Sequence, residues 1–459
     1  MLLDPTDQRP VHFAGIAGAG MSALAELFVR RGVKVSGCDA NPVGCEDLEA
    51  LGIEVRRGHD PGHLQGARAV VVTSAMPRDH PELAEARRLG LPVIRRAEAL
   101  GEATTGEGRE LVAVAGTHGK STTTVMTAEA LAAAGRDPTA LVGARVTRWG
   151  GNLRAGSDRL YVAEADEYDR SFLALSPTIA IVTNIEADHL DIYRDLADIR
   201  ATFAKFAAPA RTIVLCADDT GAATLPTPST AEVIRYGIRS PDARLRALNA
   251  RVQDGGAAFS VEYDGEHLGS VQLRLTGDHN VLNALAAVAS GLALGAPFDG
   301  MAYGLSQVTG AQRRFERIGD VRGVTLVDDY AHHPTEISAT LAAARSAFPG
   351  RRIVVAFQPH LYSRTRDFAG EFASALCAAD AVFLTEIYAA REAPIPGVTA
   401  TLIADAFGAA RQKLAWRGER AAVAEALAAA AREGDVVITM GAGDITRSGP
   451  ELVARLRAP

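Results

Sequence analysis

Short apolar runs alternate with amphipathic stretches along most of the chain, and that alternation predicts an α/β protein with parallel sheets. "VHFAGIAGAG" (11–20) reads as a strand and a turn, and "MSALAELFVRRG" (21–32) as a helix stopped by Gly32. "VKVSGCD" (33–39), "ARAVVVTSA" (67–75) and "LPVIRR" (91–96) predict further strands. The polar, glycine-rich "GEATTGEG" (101–108) reads as a linker. A second region opens with the strand "ELVAVAG" (110–116) and the helix "STTTVMTAEALAAAG" (121–135), and continues with the buried strands "LYVAEA" (160–165) and "TIAIVTN" (178–184). Between about 244 and 276 the pattern changes to short alternating segments, split by Asp254-Gly255 and Asp264-Gly265. Those steps predict antiparallel hairpins. In the third region "GVTLVDD", "RRIVVAFQ", "DAVFLTEI" and "GDVVITMG" predict four strands separated by helices. The fold class is therefore α/β with three domains: 1–107 Rossmann-like, 108–311 central with a phosphate loop and hairpins, and 312–459 Rossmann-like again.

Composition narrows the partners. The 459 residues are 47% hydrophobic and 22% charged with a net charge of −7, which fits a soluble globular protein. No basic block dominates any segment, so neither nucleic acid nor a membrane surface is expected as a partner. The start "MLLDPTDQRP" has no basic or apolar leader region, and "ALAAVASGLALGAPF" (284–298) is too short and too rich in Ala and Gly to span a bilayer. Cys38, Cys45, Cys216 and Cys377 are scattered and match no metal motif, so free packing thiols in a reducing cytoplasm are expected.

Two glycine-rich turns carry the candidate chemistry. "VAVAGTHGKSTTT" (112–124) places Gly116, Thr117, Gly119, Lys120, Ser121 and Thr122 where a strand hands over to a helix. Backbone N–H groups at a helix start attract anions, a lysine neutralises phosphate charge, and a hydroxyl can hold Mg²⁺. The eight-residue Walker pattern needs glycine at 113, where Ala113 stands, so the motif is the shorter Gly-x-x-Gly-Lys-Ser form. Glu164 and Asp166 end one later strand, and Asn184, Glu186, Asp188 and His189 follow another, the position where ligands gather in open sheets. The first turn, Gly18-x-Gly20-x-x-Ala23 with Asp39 ending the next strand, is a dinucleotide fingerprint with alanine in the third place. It predicts a bound pyrophosphate, which a nicotinamide cofactor or a UDP-sugar could supply.

The set "GTHGKS", "AEADE", "TNIEADH", "GDHNVLNALAA", "RRFE", "DDYAHHPTEI", "FQPHLYSRTR" and "GAGD" resembles the Mur ligases, in family order over nearly the whole chain. Within that family the motifs are most similar to the branch that joins L-alanine to UDP-N-acetylmuramate. The resemblance implies a UDP-binding first domain, a central ATPase domain and a C-terminal domain for amino acid and ATP, with ATP and Mg²⁺ as cofactors. It implies ATP contacts at Gly116, Thr117, Gly119, Lys120, Ser121, Thr122, Asn280, Asn283, Arg314 and Asp329. It implies metal contacts at Ser121, Glu164 and His189, and catalytic roles for Lys120, His189, Arg314 and His332. Substrate contacts are implied at Gly18, Gly20, Ser22, Asp39 and Ser74 on the UDP side, and at Tyr330, His332, His360 and Arg364 on the amino-acid side. A cytoplasmic monomer or weak homodimer is expected. Ser121 replaces the usual threonine but keeps the hydroxyl, and no match to the modified lysine of some relatives follows "DHLDIYRD". Tyr168 is more typical of the murein tripeptide recycling ligase, a cousin that stays as the alternative, whereas "YAAREAPIPG" fits the L-alanine branch better. An oxidoreductase would leave "GTHGKS" unexplained, and a non-catalytic nucleotide binder would not need Lys120, Glu164 and His189 together.

Overall fold

The computed structural model of the chain describes residues 2–73, 76–253, 255–390 and 392–457. Three sheets form among them. In the first, the spatial order is Glu54–Arg57, Val35–Asp39, Val11–Ala14, Ala69–Val72, Val93–Arg95, and every pairing is parallel. Val11–Ala14 lies in the middle, and the chain leaves it to build strands on either side. Its carboxyl end is therefore the switch point of the sheet, where an open α/β fold leaves a crevice.

The second sheet has ten strands. Its order runs Glu266–Leu273, Gly256–Tyr263, Leu245–Gln253, Glu232–Gly237, Thr212–Cys216, Ile179–Val182, Glu110–Ala115, Leu160–Glu164, Thr139–Val146, Gly151–Arg154. The parallel centre is made of Val, Ile, Leu and Ala because helices cover both faces and leave no wet side. The helix Lys120–Ala133 is buried almost all round, since Phe298–Ser306 packs over its outer side. Gly304 makes that approach possible: a Cβ there would lie 2.8 Å from the Ala130 Cα. Asp264 and Gly265 turn with φ of +50° and +86°, as a two-residue hairpin of this type requires. At the other Asp-Gly step, Asp254 lies outside the described residues.

In the third sheet Glu316–Val321 runs antiparallel to Val324–Asp329, followed by the parallel strands Val436–Met440, Ile353–Phe357, Ala381–Thr385 and Leu414–Gly418. By compactness the chain divides into two units, 1–250 with 258–273 and 280–308, and 251–257 with 274–279 and 309–459. The first unit holds the first sheet and most of the second. There the Arg31 guanidinium donates to the Tyr161 hydroxyl at 2.9 Å, and Arg145 pairs with Asp47 at 2.6 Å. Among the described residues no helix is long and apolar enough to cross a membrane.

Candidate active site

The phosphate loop closes on itself through its neighbours. Ile179–Val182, Glu110–Ala115 and Leu160–Glu164 are adjacent parallel strands, so the residues beyond their carboxyl ends converge. Gly116 has φ +143° and sits against Thr183, with no room for a side chain. The Thr183 hydroxyl donates to the His118 carbonyl at 2.7 Å, and the Asn184 carboxamide accepts from the His118 N–H at 2.7 Å. The Thr117 hydroxyl accepts from the Glu186 N–H at 2.9 Å. Gly119 has φ +83° and caps the helix that begins at Lys120, with no side chain bonded to the helix start. The first N–H groups of the helix are thus left for an anion. Thr122 is buried in its first turn.

Lys120 already has a partner. Its ammonium donates to Glu167 Oε2 at 2.7 Å and Oε1 at 3.0 Å, and to the Gly116 carbonyl at 2.7 Å. Burial works against the charge, but Glu167 and then Asp166 outweigh it and hold the ammonium above its ordinary pKa. Glu167 is itself buried, and its carbonyl accepts from the Tyr193 hydroxyl at 2.6 Å. In the sequence Glu167 stands out only as a third carboxylate after Glu164 and Asp166.

Ser121 and Glu164 meet directly. The hydroxyl donates to Glu164 Oε2 at 2.9 Å, and the Gly143 N–H donates to the same oxygen at 2.8 Å. His189 has φ +52°, a backbone state that costs energy for a side-chain-bearing residue. Its Nε2 lies 3.7 Å from Glu167 and 3.8 Å from Asp188, and its ring stands edge-on to Tyr168. Among the described residues its buried Nδ1 has no hydrogen-bond partner. The adjoining oxygen donors of Ser121 and Glu164 fit a small, hard divalent cation. Asn283 and Asn280 are buried behind the loop. Asn283 Oδ1 accepts from the Thr123 hydroxyl at 3.0 Å, and its amide donates to Asn280 at 3.3 Å. This pair supports the loop helix from behind.

The second unit gathers its own set. Asp329 ends the strand Val324–Asp329, and its carboxylate accepts from the N–H groups of Phe315 (2.7 Å) and Ala331 (2.8 Å). Burial pushes its pKa up to about 6, with Arg314 pulling the other way. Arg313 and Arg314 both lie over the Tyr330 ring, at 4.9 and 5.0 Å. Arg313 bonds Asp328 at 3.2 Å and the Gly441 carbonyl, tying "RRFE" to "GAGD". The adjacent histidines separate by task. His333 caps the helix Pro334–Ala347 with Glu336 completing the box, whereas His332 turns its ring towards Tyr330 and His360. His332 Nδ1 lies 3.0 Å from the Tyr330 carbonyl. His360 stacks on Tyr388, and the buried Arg364 lies 3.4 Å from it. Gln358 bonds Asp444 at 2.8 Å, and Gly443 packs so closely on Gln358 and Tyr388 that no Cβ fits.

In the first sheet Gly18 caps the helix Ala19–Arg30, and Gly20 lies where a Cβ would meet the Arg96 guanidinium at 2.8 Å. The Ser22 hydroxyl donates to the Ala19 carbonyl at 3.0 Å. Asp39 reaches back across the turn: one oxygen accepts from the Ala17 N–H at 3.1 Å, the other from the Asn41 N–H at 2.9 Å. It therefore shapes the glycine turn. Ser74 lies outside the described residues.

Three matches cover the chain. Residues 10–107 match the Mur ligase family catalytic domain, 114–291 the Mur ligase middle domain, and 313–443 the Mur ligase glutamate ligase domain. A UDP-N-acetylmuramate–L-alanine ligase of Acidothermus cellulolyticus is 48% identical over 449 residues, 96% of this chain and 94% of that protein. The enzyme of that name from Paenarthrobacter aurescens is 48% identical over 455 residues, 97% of both. Among solved structures, a UDP-N-acetylmuramate–alanine ligase of Thermotoga maritima is similar with a TM-score of 0.83 and 30% identity, covering 97% of this chain and 98% of the other. A murein peptide ligase of Psychrobacter arcticus follows with 0.73 and 27%, covering 98% of each.

Proposed function

Because the chain belongs to the Mur ligase family, we propose that it joins L-alanine to the muramoyl carboxylate of UDP-N-acetylmuramate, converting ATP to ADP and phosphate. The observation that carries this reading is 48% identity, end to end, with ligases of that name. The three segments 1–107, 108–311 and 312–459 then serve UDP, ATP, and the amino acid with part of ATP.

A carboxylate does not acylate an amine at neutral pH, because oxide is too poor a leaving group. Phosphorylation by ATP makes an acyl phosphate, the amine attacks it, and phosphate leaves. The protein must bring an anionic nucleophile to an anionic phosphoryl group, which demands placed cations. Lys120 and the N–H groups from Gly119 to Thr122 would hold the phosphates, with Gly116 and Thr117 shaping the loop. Ser121, Glu164 and His189 would hold Mg²⁺; the 2.9 Å contact of the first two supports this. When bound, Mg²⁺ neutralises phosphate charge as it shifts towards the leaving oxygen. Arg314 would add a second cation, and Asp329 would fix it. Asn280 and Asn283 would border the base. Gly18, Gly20, Ser22, Asp39 and Ser74 would surround the UDP.

Tyr330, His332, His360 and Arg364 would meet the amino acid and the muramoyl carboxylate. An ammonium must lose a proton before it attacks. With Nδ1–H donating to the Tyr330 carbonyl, His332 keeps Nε2 as its basic nitrogen, and that nitrogen would take the proton. We place the enzyme in the cytoplasm as a monomer or weak homodimer, without nucleic-acid or membrane partners; the net charge of −7 with no basic block supports the last point.

The test is phosphate release from ATP and Mg²⁺ with UDP-N-acetylmuramate and L-alanine, with products confirmed by mass. Turnover is expected with L-alanine and not without it. The second reading, a murein tripeptide ligase, rests on Tyr168, which stands against His189. Turnover only with the L-Ala-γ-D-Glu-diaminopimelate tripeptide would select that reading and overturn the first.

A further inference from the structure

We propose that the N-terminal sheet carries a metal site of the zinc class, formed by His12, Cys38, His63 and Glu82. The four ligand atoms lie within 4.8 Å of one another. They come from four separate elements: the strand Val11–Ala14, the strand Val35–Asp39, the short turn Pro61–Leu64, and the first turn of the helix Pro81–Leu89. His12 Nε2 stands 3.4 Å from Cys38 Sγ, Cys38 Sγ 3.0 Å from Glu82 Oε1, and His63 Nδ1 3.2 Å from the same oxygen. Zinc–nitrogen and zinc–oxygen bonds of about 2.0–2.2 Å and zinc–sulfur bonds of about 2.3 Å set the edges of a tetrahedral site at roughly 3.3–3.6 Å. These three edges come within a few tenths of an ångström of that range.

Charge points the same way. Glu82 is fully buried, and among the described residues no lysine or arginine pairs with it; its partners are Cys38, His59, His63 and His80. A buried carboxylate without a cation is costly. A divalent ion bound by one thiolate and one carboxylate leaves the site neutral. The thiol proton goes to solvent as the metal–sulfur bond forms.

The outer contacts fit as well. His12 Nδ1 bonds the Ser36 hydroxyl at 3.0 Å, which turns Nε2 towards the cluster. His59 Nδ1 lies 3.2 Å from Glu82 Oε2, the oxygen outside the proposed set, and 3.3 Å from Cys38 Sγ. Partners of this kind orient ligands in metal sites. Mixed sulfur, nitrogen and oxygen donors in tetrahedral array select zinc over magnesium or calcium. The ion would pin the turn and the helix to the sheet, away from the phosphate-loop metal position.

The test uses the full-length chain purified without chelators. Elemental analysis after equilibration with zinc and desalting is expected to give one tightly held zinc per chain. Cobalt substitution is expected to give the intense visible bands of a tetrahedral site and a thiolate charge-transfer band. Cys38→Ser should remove that band and weaken zinc binding at least about 100-fold, whereas His80→Ala, outside the four, should keep both. No tightly held zinc in the native chain would overturn the proposal. So would an octahedral cobalt spectrum without the thiolate band, or metal lost from His80→Ala but kept in Cys38→Ser. The native chain's cobalt spectrum decides the matter even where the cysteine variant does not fold.

Discussion

Two residues carry the sharpest predictions at the scale of single side chains. Lys120 and Glu167 form a buried pair, and removing one partner leaves the other charge stranded. Glu167→Ala should cost about 3 kcal/mol or more of stability without nucleotide. ADP should recover part of the loss, because its phosphates replace the missing carboxylate. Thermal unfolding with and without ADP checks this, and an equal loss in both would show that Lys120 does not serve the phosphates. Asp329 has its pKa raised to about 6, so the folded chain takes up this proton before the unfolded chain does as pH falls. Its contribution to stability therefore declines as pH rises from about 4 to 6. Half-buried His279, with its pKa lowered to about 4 by desolvation, has the opposite slope, losing stability as pH falls through the same window. Asp329→Asn should remove the first slope, so stability should rise more steeply with pH than in the parent. Denaturant titrations between pH 4 and 7 read it, and an unchanged slope would contradict it. Lys120 and Ser121 were legible in the sequence because their loop is local. Glu167, Gly143 and Arg313 were not, because their partners lie 47, 21 and 128 residues away.

Elements follow from pattern where burial is one-sided and need structure where it is not. The strand–turn–helix units were legible from apolar runs and glycine stops, and Asp264-Gly265 does turn as its composition predicts. The helix Lys120–Ala133 has no polar stripe to read, because both its sides are covered. Its second cover, Phe298–Ser306, depends on Gly304, and nothing in the local sequence announces that dependence. Gly304→Ala would force the new methyl against the Glu129 carbonyl and the Ala130 backbone. Overpacking of this kind costs about 1–3 kcal/mol, and a urea titration should show a lower midpoint. An unchanged midpoint would mean that the two helices yield at no cost. The tandem histidines teach a related lesson. "HHP" before a helix does not say which histidine caps it; the geometry gives the cap to His333 and turns the His332 ring towards Tyr330 and His360.

At the scale of the whole molecule, three sheets do not amount to three equal bodies. Arg31, Tyr161, Arg145 and Asp47 join the first sheet to the second within one unit, and no sequence signal paired those distant residues. Calorimetry on the full chain should therefore show two unfolding transitions, with UDP-N-acetylmuramate raising the one that contains both sheets. Three separate transitions would contradict a shared first unit. The motif order along the chain was enough to read the family and its activity, because the whole set resembles the Mur ligases in order; some motifs, such as "GTHGKS" and "DDYAHHPTEI", fall at strand ends, where ligands collect. The lysine at the phosphate loop also bears on which anions the loop takes up. With Glu167 clasping it at 2.7 Å, the ammonium meets an arriving anion as half of a neutral pair, not as a bare positive charge. On the proposed function, a phosphate group would have to break that clasp to reach Lys120. A lone phosphate ion is therefore expected to bind more weakly than ADP, which brings further contacts of its own.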